Sequence, residues 1–272
     1  MSGEMVIFIG SDTHCGHDVG LTPPEFNWVP PERASRKEHK DHEFRVRAWE
    51  WFDAEVKRAG PFDEAIWNGD IVDGPGLKSG GTEDQELPTQ VEMAVALVTH
   101  LNVPVNHFIR GTPYHTGESK TNWEDMVHGI CKGTTIGDEG HYNYLGLAVN
   151  AKHKIGNSSS PVSRYTALST AQIKQMLWAE TGQQPKANLI IRSHIHRCSE
   201  VSDPATNKAA WVTPALQGLG SVNGGRNTDG LPVHFGFLVL RVRGVNDWGV
   251  EAHIAPLTMQ KAFVYEATKK SA

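Results

Sequence analysis

The feature that most constrains this chain is a set of short apolar segments that end abruptly in aspartate or histidine. The segment Met5–Gly10 reads MVIFIG, and Asp12 and His14 follow it within a few residues. An apolar run of this length is typical of a buried strand, and charged residues do not suit the interior of one. The pattern therefore predicts a strand that delivers polar side chains at its C-terminal end.

The same arrangement recurs twice in the first half of the chain. Glu64–Asn68 (EAIWN) is a second predicted strand, and it leads into Gly69-Asp70 and then Asp73. A third predicted strand covers residues 103–109, and it contains Asn106-His107 in its interior. The polar residues that follow this third strand are Arg110, Thr112 and His115.

Histidine takes the corresponding place in the second half. Residues 142–153 read as a strand that ends at His153, and residues 188–191 read as a strand followed by His194 and His196. Two ligands spaced i and i+2 just beyond a strand can curve into one pocket, and open α/β sheets place their sites at the carboxyl ends of strands. We therefore expect these side chains to meet.

The donor types narrow the chemistry of such a pocket. Carboxylate together with imidazole suits zinc, manganese, iron or nickel better than calcium. The cysteines Cys15, Cys131 and Cys198 are scattered and do not form the pairs of a structural zinc site or of a disulfide framework. An aspartate that bridged two cations about 3.5–4 Å apart would suit phosphoryl transfer.

Helical segments alternate with the strands in the first half. Arg36–Ala59 and residues 91–101 carry apolar residues at helical spacing, which predicts crossover helices and a largely parallel sheet. The second half differs, with a predicted helix at 166–181 and strands at 210–215, 234–242 and 249–254. A single α/β domain over residues 1–272, with two stacked sheets, is the simplest account.

Composition excludes several functional classes. The net charge is −5 and there is no tract dense in lysine and arginine, which argues against a broad electrostatic grip on duplex nucleic acid. We find no signal-peptide pattern and no stretch apolar enough to span a membrane. The expectation is a cytoplasmic protein with no membrane partner.

Taken in order, the motifs resemble those of a known family. Asp12-x-His14, Gly69-Asp70-x-x-Asp73, the lone His153 and His194-x-His196 are similar to the motifs of the calcineurin-like metallophosphoesterases. The resemblance implies a four-layer α/β/β/α sandwich. Two mixed sheets are stacked in such a fold, and a dimetal site lies at the C-terminal ends of the strands.

The resemblance also implies a ligand set. One metal ion would be held by Asp12, His14 and His196, and the second by His153 and His194. Asp70 would bridge the two ions. Thr112 stands where the family has an asparagine ligand, so it is the expected seventh ligand.

The activity implied is hydrolysis of a phosphoester bond by a metal-bridging hydroxide, as in a phosphodiesterase, nuclease or phosphatase. The cofactors would be two divalent ions, manganese, iron, zinc or nickel, with manganese preferred for activity. His115 would protonate the leaving oxygen, Asp73 would orient His115 by accepting its other ring proton, and Arg110 would clamp a phosphate oxygen. The substrate would be a phosphoester, with a nucleotide or nucleic acid among the candidates.

The third motif departs from the family pattern and keeps two alternatives open. Gly111-Thr112-Pro113-Tyr114-His115 replaces Gly-Asn-His, so the histidine arrives two residues late. Asn106-His107 reads Asn-His literally, but it lies inside a predicted strand. One alternative is a non-catalytic metal-binding scaffold of the same fold. The other is a metallohydrolase that acts on amides or carboxylic esters with a different metal arrangement.

Overall fold

The fold is built from two mixed β-sheets, as seen in a computed structural model that describes residues 3–75, 86–116, 122–156, 164–219 and 232–256. The first sheet has the order β11-β10-β1-β2-β3-β4, and the second has the order β5-β6-β7-β9-β8. The strands are β1 Met5–Gly10, β2 Glu64–Asn68, β3 Val105–Ile109, β4 Thr135–Gly137, β5 Gly140–Tyr144, β6 Leu147–Ala151, β7 Leu189–Arg192, β8 Ser199–Asp203, β9 Lys208–Val212, β10 Gly236–Gly244 and β11 Asp247–Ile254.

Five α-helices connect these strands in the described part of the chain. The helices are α1 Arg36–Ala59, α2 Leu87–Leu101, α3 Pro113–Thr116, α4 Trp123–Ile130 and α5 Arg164–Glu180. Helix α1 begins where Ser35 and Glu38 form a reciprocal capping box, which satisfies two backbone N–H groups that the first turn would leave free. None of the described helices has both the length and the apolar composition needed to cross a membrane.

Strand direction differs between the parts of each sheet. Strands β1 to β4 pair in parallel, as the alternation of strand and helix predicts, and β10 and β11 add antiparallel to the β1 edge. In the second sheet, β6, β7 and β9 are parallel, and β5 and β8 close the edges antiparallel. The parallel strands place their carboxyl ends along one edge of each sheet.

The buried side chains define four layers. Ile7 and Ile9 of β1 face Val149 and Ile191 of the second sheet in one apolar cluster between the sheets. Phe8, which points to the opposite face because side chains alternate along a strand, packs with the apolar faces of α1 and α2. On the far side, Leu168 of α5 packs on Ile190, Ala210 and Val212. The α/β/β/α sandwich is thus confirmed, while a single domain over 1–272 stays a prediction.

The predicted strand over residues 142–153 is wrong in one respect. It is a hairpin of β5 and β6, because Leu145 and Gly146 take φ values of 50° and 91° and turn the chain back. Positive φ at both central residues is typical of the two-residue turn that matches strand twist. His153 consequently lies just beyond β6, at the end of a much shorter strand.

Candidate metal centre

The loops that carry the predicted ligands are tied together where the strands end. The Asp12 N–H donates to the Gly69 carbonyl at 2.9 Å, and the His14 N–H donates to the Asp70 carbonyl at 3.1 Å. The second sheet joins through His194, whose N–H donates to Asp12 Oδ2 at 3.3 Å. Candidate ligand residues from both sheets therefore lie close together where the strands end.

The first group of potential ligands comprises Asp12, His14 and His196. Their donor atoms all lie within 4.8 Å of one another. His196 Nε2 is 3.2 Å from Asp12 Oδ1, and His14 Nε2 is 4.0 Å from the same oxygen. Three donors of this type at this spacing could hold a divalent ion.

A second group comprises Asp70, His153 and His194. His153 Nε2 is 2.9 Å from Asp70 Oδ2, and His194 Nδ1 is 3.8 Å from that oxygen. The two groups are neighbours, since His153 Nε2 also lies 3.9 Å from Asp12 Oδ1. The six predicted ligands therefore lie close together, with Asp70 grouped with His153 and His194.

Hydrogen bonds at the opposite ring nitrogens orient two of the imidazoles. His153 Nδ1 donates to the Asn68 carbonyl at 2.7 Å, so Nε2 is turned towards the carboxylates. His14 Nδ1 lies 3.2 Å from Asp73 Oδ1, which likewise leaves its Nε2 for the first group. Histidines that bind metals are usually held in this way by a carbonyl or carboxylate.

Three buried atoms at the centre lack a hydrogen bond of good geometry within the described structure. They are Asp12 Oδ1, His14 Nε2 and His153 Nε2. Buried polar atoms are rarely left without a partner, and a bound ion is one explanation for such atoms. A lone carboxylate oxygen and two imidazole nitrogens are suitable donors for a divalent cation, so the residues present fit a metal.

The pKa values of these groups depend on burial and on the charges of their neighbours. Burial acts to raise the pKa of Asp12, but His196 and His153 outweigh it and hold that pKa well below its usual range. Burial acts to lower the pKa of His153, yet Asp70 and Asp12 raise it to about 10. Burial lowers the pKa of His14 to about 4, which keeps this imidazole neutral and able to bind a metal. Positive charge beside the buried aspartates therefore stabilises their ionised form.

Backbone strain is concentrated on the same residues. Non-glycine residues with positive φ are uncommon, and each costs on the order of 1–3 kcal/mol unless the surrounding structure enforces it. Such strain clusters at functional sites. The candidate ligands with positive φ are Asp12 (51°), His14 (43°), Asp70 (51°), His194 (79°) and His196 (52°).

A buried chain of hydrogen-bonded hydroxyl and amide groups contacts Asp12 and holds it in place. Ser11 Oγ donates to Asp12 Oδ2 at 2.7 Å and lies 2.6 Å from Thr213 Oγ1. Thr213 Oγ1 donates to Ser193 Oγ at 2.8 Å, and Asn68 Nδ2 donates to the same oxygen at 2.6 Å. This chain links residues at the ends of β1, β2, β7 and β9, so it fixes the two sheets relative to each other at the site.

Thr112 of the third motif contacts Asp70. Its N–H donates to Asp70 Oδ1 at 2.6 Å, and its hydroxyl lies 3.1 and 3.2 Å from the two carboxylate oxygens. The neighbouring Gly111 is required, because a Cβ there would lie 2.1 Å from Asp70 Oδ1. Thr112 therefore holds the carboxylate of the second group, and its role as a metal ligand stays a prediction.

Asp73 contacts His115 through its backbone, which differs from the expected side-chain contact. His115 Nδ1 donates to the Asp73 carbonyl oxygen at 2.6 Å, whereas Asp73 Oδ1 is 3.8 Å away. The carboxylate instead faces His14, whose ring centroid is 4.5 Å from that of His115. His14, Asp73 and His115 form a third group whose donor atoms lie within 4.8 Å of one another.

The side chain of Arg110 forms ion pairs away from the candidate ligands. Its Nε donates to Asp125 Oδ1 at 2.8 Å, and its Nη1 donates to Asp138 Oδ1 at 3.3 Å. Among the described residues, its side chain forms ion pairs with these two carboxylates and with no candidate ligand. The phosphate clamp predicted for it would require an exchange of partners.

Sequence reasoning missed Glu124 at the start of α4. This fully buried carboxylate accepts hydrogen bonds from the N–H groups of Ile71 at 2.9 Å and Gly111 at 2.7 Å. It therefore joins the second motif to the third. Burial and the neighbouring Asp70 raise its pKa to about 7. No motif marks this lone glutamate, and only the proximity of two distant loops identifies it.

Solved structures that are similar to this chain were found, whereas no similar sequence was. Neither a protein-family model nor a curated protein matches the sequence. Vps29 from Entamoeba histolytica complexed with zinc is 12% identical, covers 92% of this chain and 99% of its own, and has a TM-score of 0.44. A novel archaeal phosphodiesterase is 12% identical over 92% of this chain and 100% of its own, with a TM-score of 0.46.

A predicted phosphoesterase from Streptococcus pneumoniae is also similar, at 10% identity over 94% of this chain and 95% of its own, with a TM-score of 0.40. The chain resembles the calcineurin-like metallophosphoesterases. The resemblance lies in the motif order from Asp12 to His196 and in the two stacked sheets. Identities of 10–12% transfer no activity to the chain.

Proposed function

We propose that this protein is a metal-dependent phosphoesterase that binds two divalent cations. The observation that carries the proposal is the pair of adjacent three-residue groups, which are linked by the 3.9 Å approach of His153 Nε2 to Asp12 Oδ1. Each group combines carboxylate with imidazole, and together they contain three buried atoms without a good hydrogen bond. A structural zinc site would instead be closed by four ligands, often including cysteine.

The assignment of ligands follows from these groups. Asp12, His14 and His196 would hold one cation, and His153 and His194 would hold the other. Asp70 would be shared, as the family resemblance implies, and its carboxylate also approaches His153 and receives Thr112. Thr112 would help to hold the second cation directly or through the carboxylate that it contacts.

When bound, the cations would supply Lewis acidity and lower the pKa of an attacking water. In the proposed reaction, water adds to phosphorus and releases one proton to solvent, and the ester P–O bond breaks. His115 gives a proton to the departing oxygen. Since its Nδ1 already donates to the Asp73 carbonyl, the proton must come from Nε2 of the imidazolium form. Asp73 acts as a positioning residue for His14, and Arg110 would reach a phosphate oxygen only by releasing Asp125 or Asp138.

The proposal is tested with protein stripped of metal by chelation and reloaded with manganese. We expect hydrolysis of bis-p-nitrophenyl phosphate or of p-nitrophenyl phosphate that depends on added metal and is lost in Asp70→Asn. Elemental analysis should give two equivalents of metal in the wild type. A single equivalent that survives Asp70→Ala would contradict the two-cation centre and favour a different metallohydrolase.

The second candidate is a non-catalytic metal-binding scaffold. It is favoured by the altered third motif, in which the Thr112 hydroxyl replaces an amide ligand and contacts Asp70. The same assay separates the two functions. Metal bound at two equivalents without turnover of either ester would support the scaffold and reject the enzyme.

A further inference from the structure

A cavity distinct from the candidate metal centre lies beside the strand ends that lead to His153 and His194. Its volume is about 480 Å³, which is in the range of ordinary small-ligand pockets. It is bounded by the end of β6, the end of β7 and one face of α5. None of the candidate metal ligands lines it.

The walls of this cavity are basic although the chain as a whole is acidic. Lys152, Lys154, Lys174 and Arg192 line it, and Glu139 is the one carboxylate among its described lining residues, while the net charge of the chain is −5. The Glu139 carboxylate already has two partners, since it accepts hydrogen bonds from the Asn150 side chain at 2.7 Å and from Lys152 at 3.4 Å. In the described part of the structure, Lys154 and Lys174 have no carboxylate within ion-pair distance.

Arg192 is the strongest indication of an anionic ligand. Its side chain is buried, with 6% of the residue exposed. Its guanidinium donates to the Asn150 side-chain oxygen at 2.8 Å and to the Ile191 carbonyl at 2.7 Å, both of which are neutral. The hydrogen-bond partners of Arg192 are all neutral, and Glu139 interacts with it only at longer range. Burying a cation in this way is unfavourable, so an anion in the cavity would stabilise it.

The cavity and the candidate metal centre share their supporting elements. Lys152 and Lys154 flank His153, whose ring turns to Asp70 while its two neighbours border the cavity. Arg192 likewise stands two residues before His194. A ligand in the cavity would therefore lie behind the two strand ends that supply the second group of metal ligands.

An aromatic side chain completes the lining. Trp178 of α5 borders the cavity, and 48% of this residue is exposed. The face of an indole ring can stack on a nucleobase without sequence preference. The hydroxyls of Thr166 and Thr170 line the same wall and add neutral hydrogen-bonding groups.

We propose that this cavity binds a nucleoside phosphate. The phosphate would be held by Lys154, Lys174 and Arg192, and the base would stack on Trp178. The ligand chemistry is shared by a free nucleotide and by a nucleotide within a single strand of nucleic acid. This binding requires neither a metal nor turnover at the candidate metal centre.

The test is calorimetric titration in the presence of EDTA, with AMP, a short single-stranded oligothymidylate and inorganic phosphate as the probes. We expect AMP or the oligonucleotide to bind the wild type. The double variant Lys154→Glu/Lys174→Glu should weaken that binding at least about tenfold. The matched control is Lys186→Glu, an exposed lysine outside the cavity. Trp178→Ala should weaken the binding of AMP and leave that of inorganic phosphate unchanged, while Leu177→Ala, at an exposed position beside it, should leave both unchanged.

The results distinguish a free nucleotide from a nucleotide within a nucleic-acid strand. Tighter binding of the oligonucleotide than of AMP assigns the cavity to a nucleic-acid strand, and equal or weaker binding assigns it to free nucleotides. The proposal is overturned if neither AMP nor the oligonucleotide binds, if neither binds more tightly than inorganic phosphate, or if Lys186→Glu weakens binding as much as the double variant. Because EDTA removes metal chemistry, failure here leaves the phosphoesterase proposal to its own manganese assay.

Discussion

His14 and Asp73 form a buried pair in which Nδ1 of the imidazole lies 3.2 Å from a carboxylate oxygen. The pair turns His14 Nε2 towards Asp12, so Asp73 supports a candidate metal ligand. We expect Asp73→Asn to lower metal affinity about 10–100-fold, the usual effect of losing such a partner. Isothermal titration with manganese measures this. Asp138→Asn, which alters an exposed ion pair with Arg110, is the control, and equal affinities in both variants would remove Asp73 from the site.

The close contact between Gly111 and Asp70 can be tested by substituting alanine for Gly111. In Gly111→Ala the new Cβ would sit 2.1 Å from Asp70 Oδ1, so the carboxylate must move. We expect metal affinity to fall at least about tenfold, as for other disturbed ligand supports. The matched control is Gly129→Ala in α4, where a Cβ meets no atom within 4 Å. If both variants bound manganese like the wild type, the placement of Asp70 against this loop would be incorrect.

The positive φ of His194 predicts an unusual order of stabilities. His194→Gly and His194→Ala both remove the imidazole, but only glycine accepts a φ of 79° without a steric penalty. In the presence of EDTA, His194→Gly should be more stable than His194→Ala by about 1–2 kcal/mol. Urea unfolding of the two proteins gives the difference directly. An alanine variant as stable as the glycine variant would show that this backbone conformation is not strained.

Glu124 predicts a pH dependence of stability in metal-free protein. Its pKa rises from the ordinary 4.5 to about 7 because of burial and Asp70, so the folded state holds a proton that the unfolded state has lost. The protonated Glu124 therefore stabilises the folded state fully below about pH 4.5, and this stabilisation is lost as the pH rises through about 7. The free energy of unfolding changes by at most about 1.4 kcal/mol per pH unit. Glu124→Gln cannot titrate.

The measurement is therefore the difference in unfolding free energy between wild type and Glu124→Gln, followed by urea titration in EDTA from pH 4.5 to 8. This difference should fall with rising pH and become flat above about 7. A difference that rises with pH would mean that Glu124 is charged in the fold.

His115 is expected to be needed for turnover and not for metal binding. Its proton-donating role predicts that His115→Asn lowers kcat about 10²–10⁴-fold while two equivalents of metal are retained. Hydrolysis of bis-p-nitrophenyl phosphate and elemental analysis check the two halves of this prediction. His100→Asn, at a histidine paired with Asp53 on the surface, is the control. Unchanged rates in His115→Asn would place the proton donor elsewhere.

Local patterns in the sequence were sufficient for the first two strands and the first helix. Met5–Gly10, Arg36–Ala59 and Glu64–Asn68 have the predicted bounds, because an apolar run or a helical spacing of apolar residues is decided over neighbouring positions. The Asn106-His107 pair lies within β3, as predicted, and Asn106 accepts a hydrogen bond from Trp67. The hairpin at Leu145 was missed, because leucine gives no signal for a positive φ.

The sequence by itself determined the order and the donor types of the six predicted ligands, because each follows a strand within a few residues. Only the tertiary structure decided which groups support them. Asp73 meets His14 across 59 positions, and Glu124 meets Ile71 across 53. Such contacts depend on how β1, β2 and α4 pack against one another, and a lone carboxylate in a sequence does not reveal which loop will be folded against it.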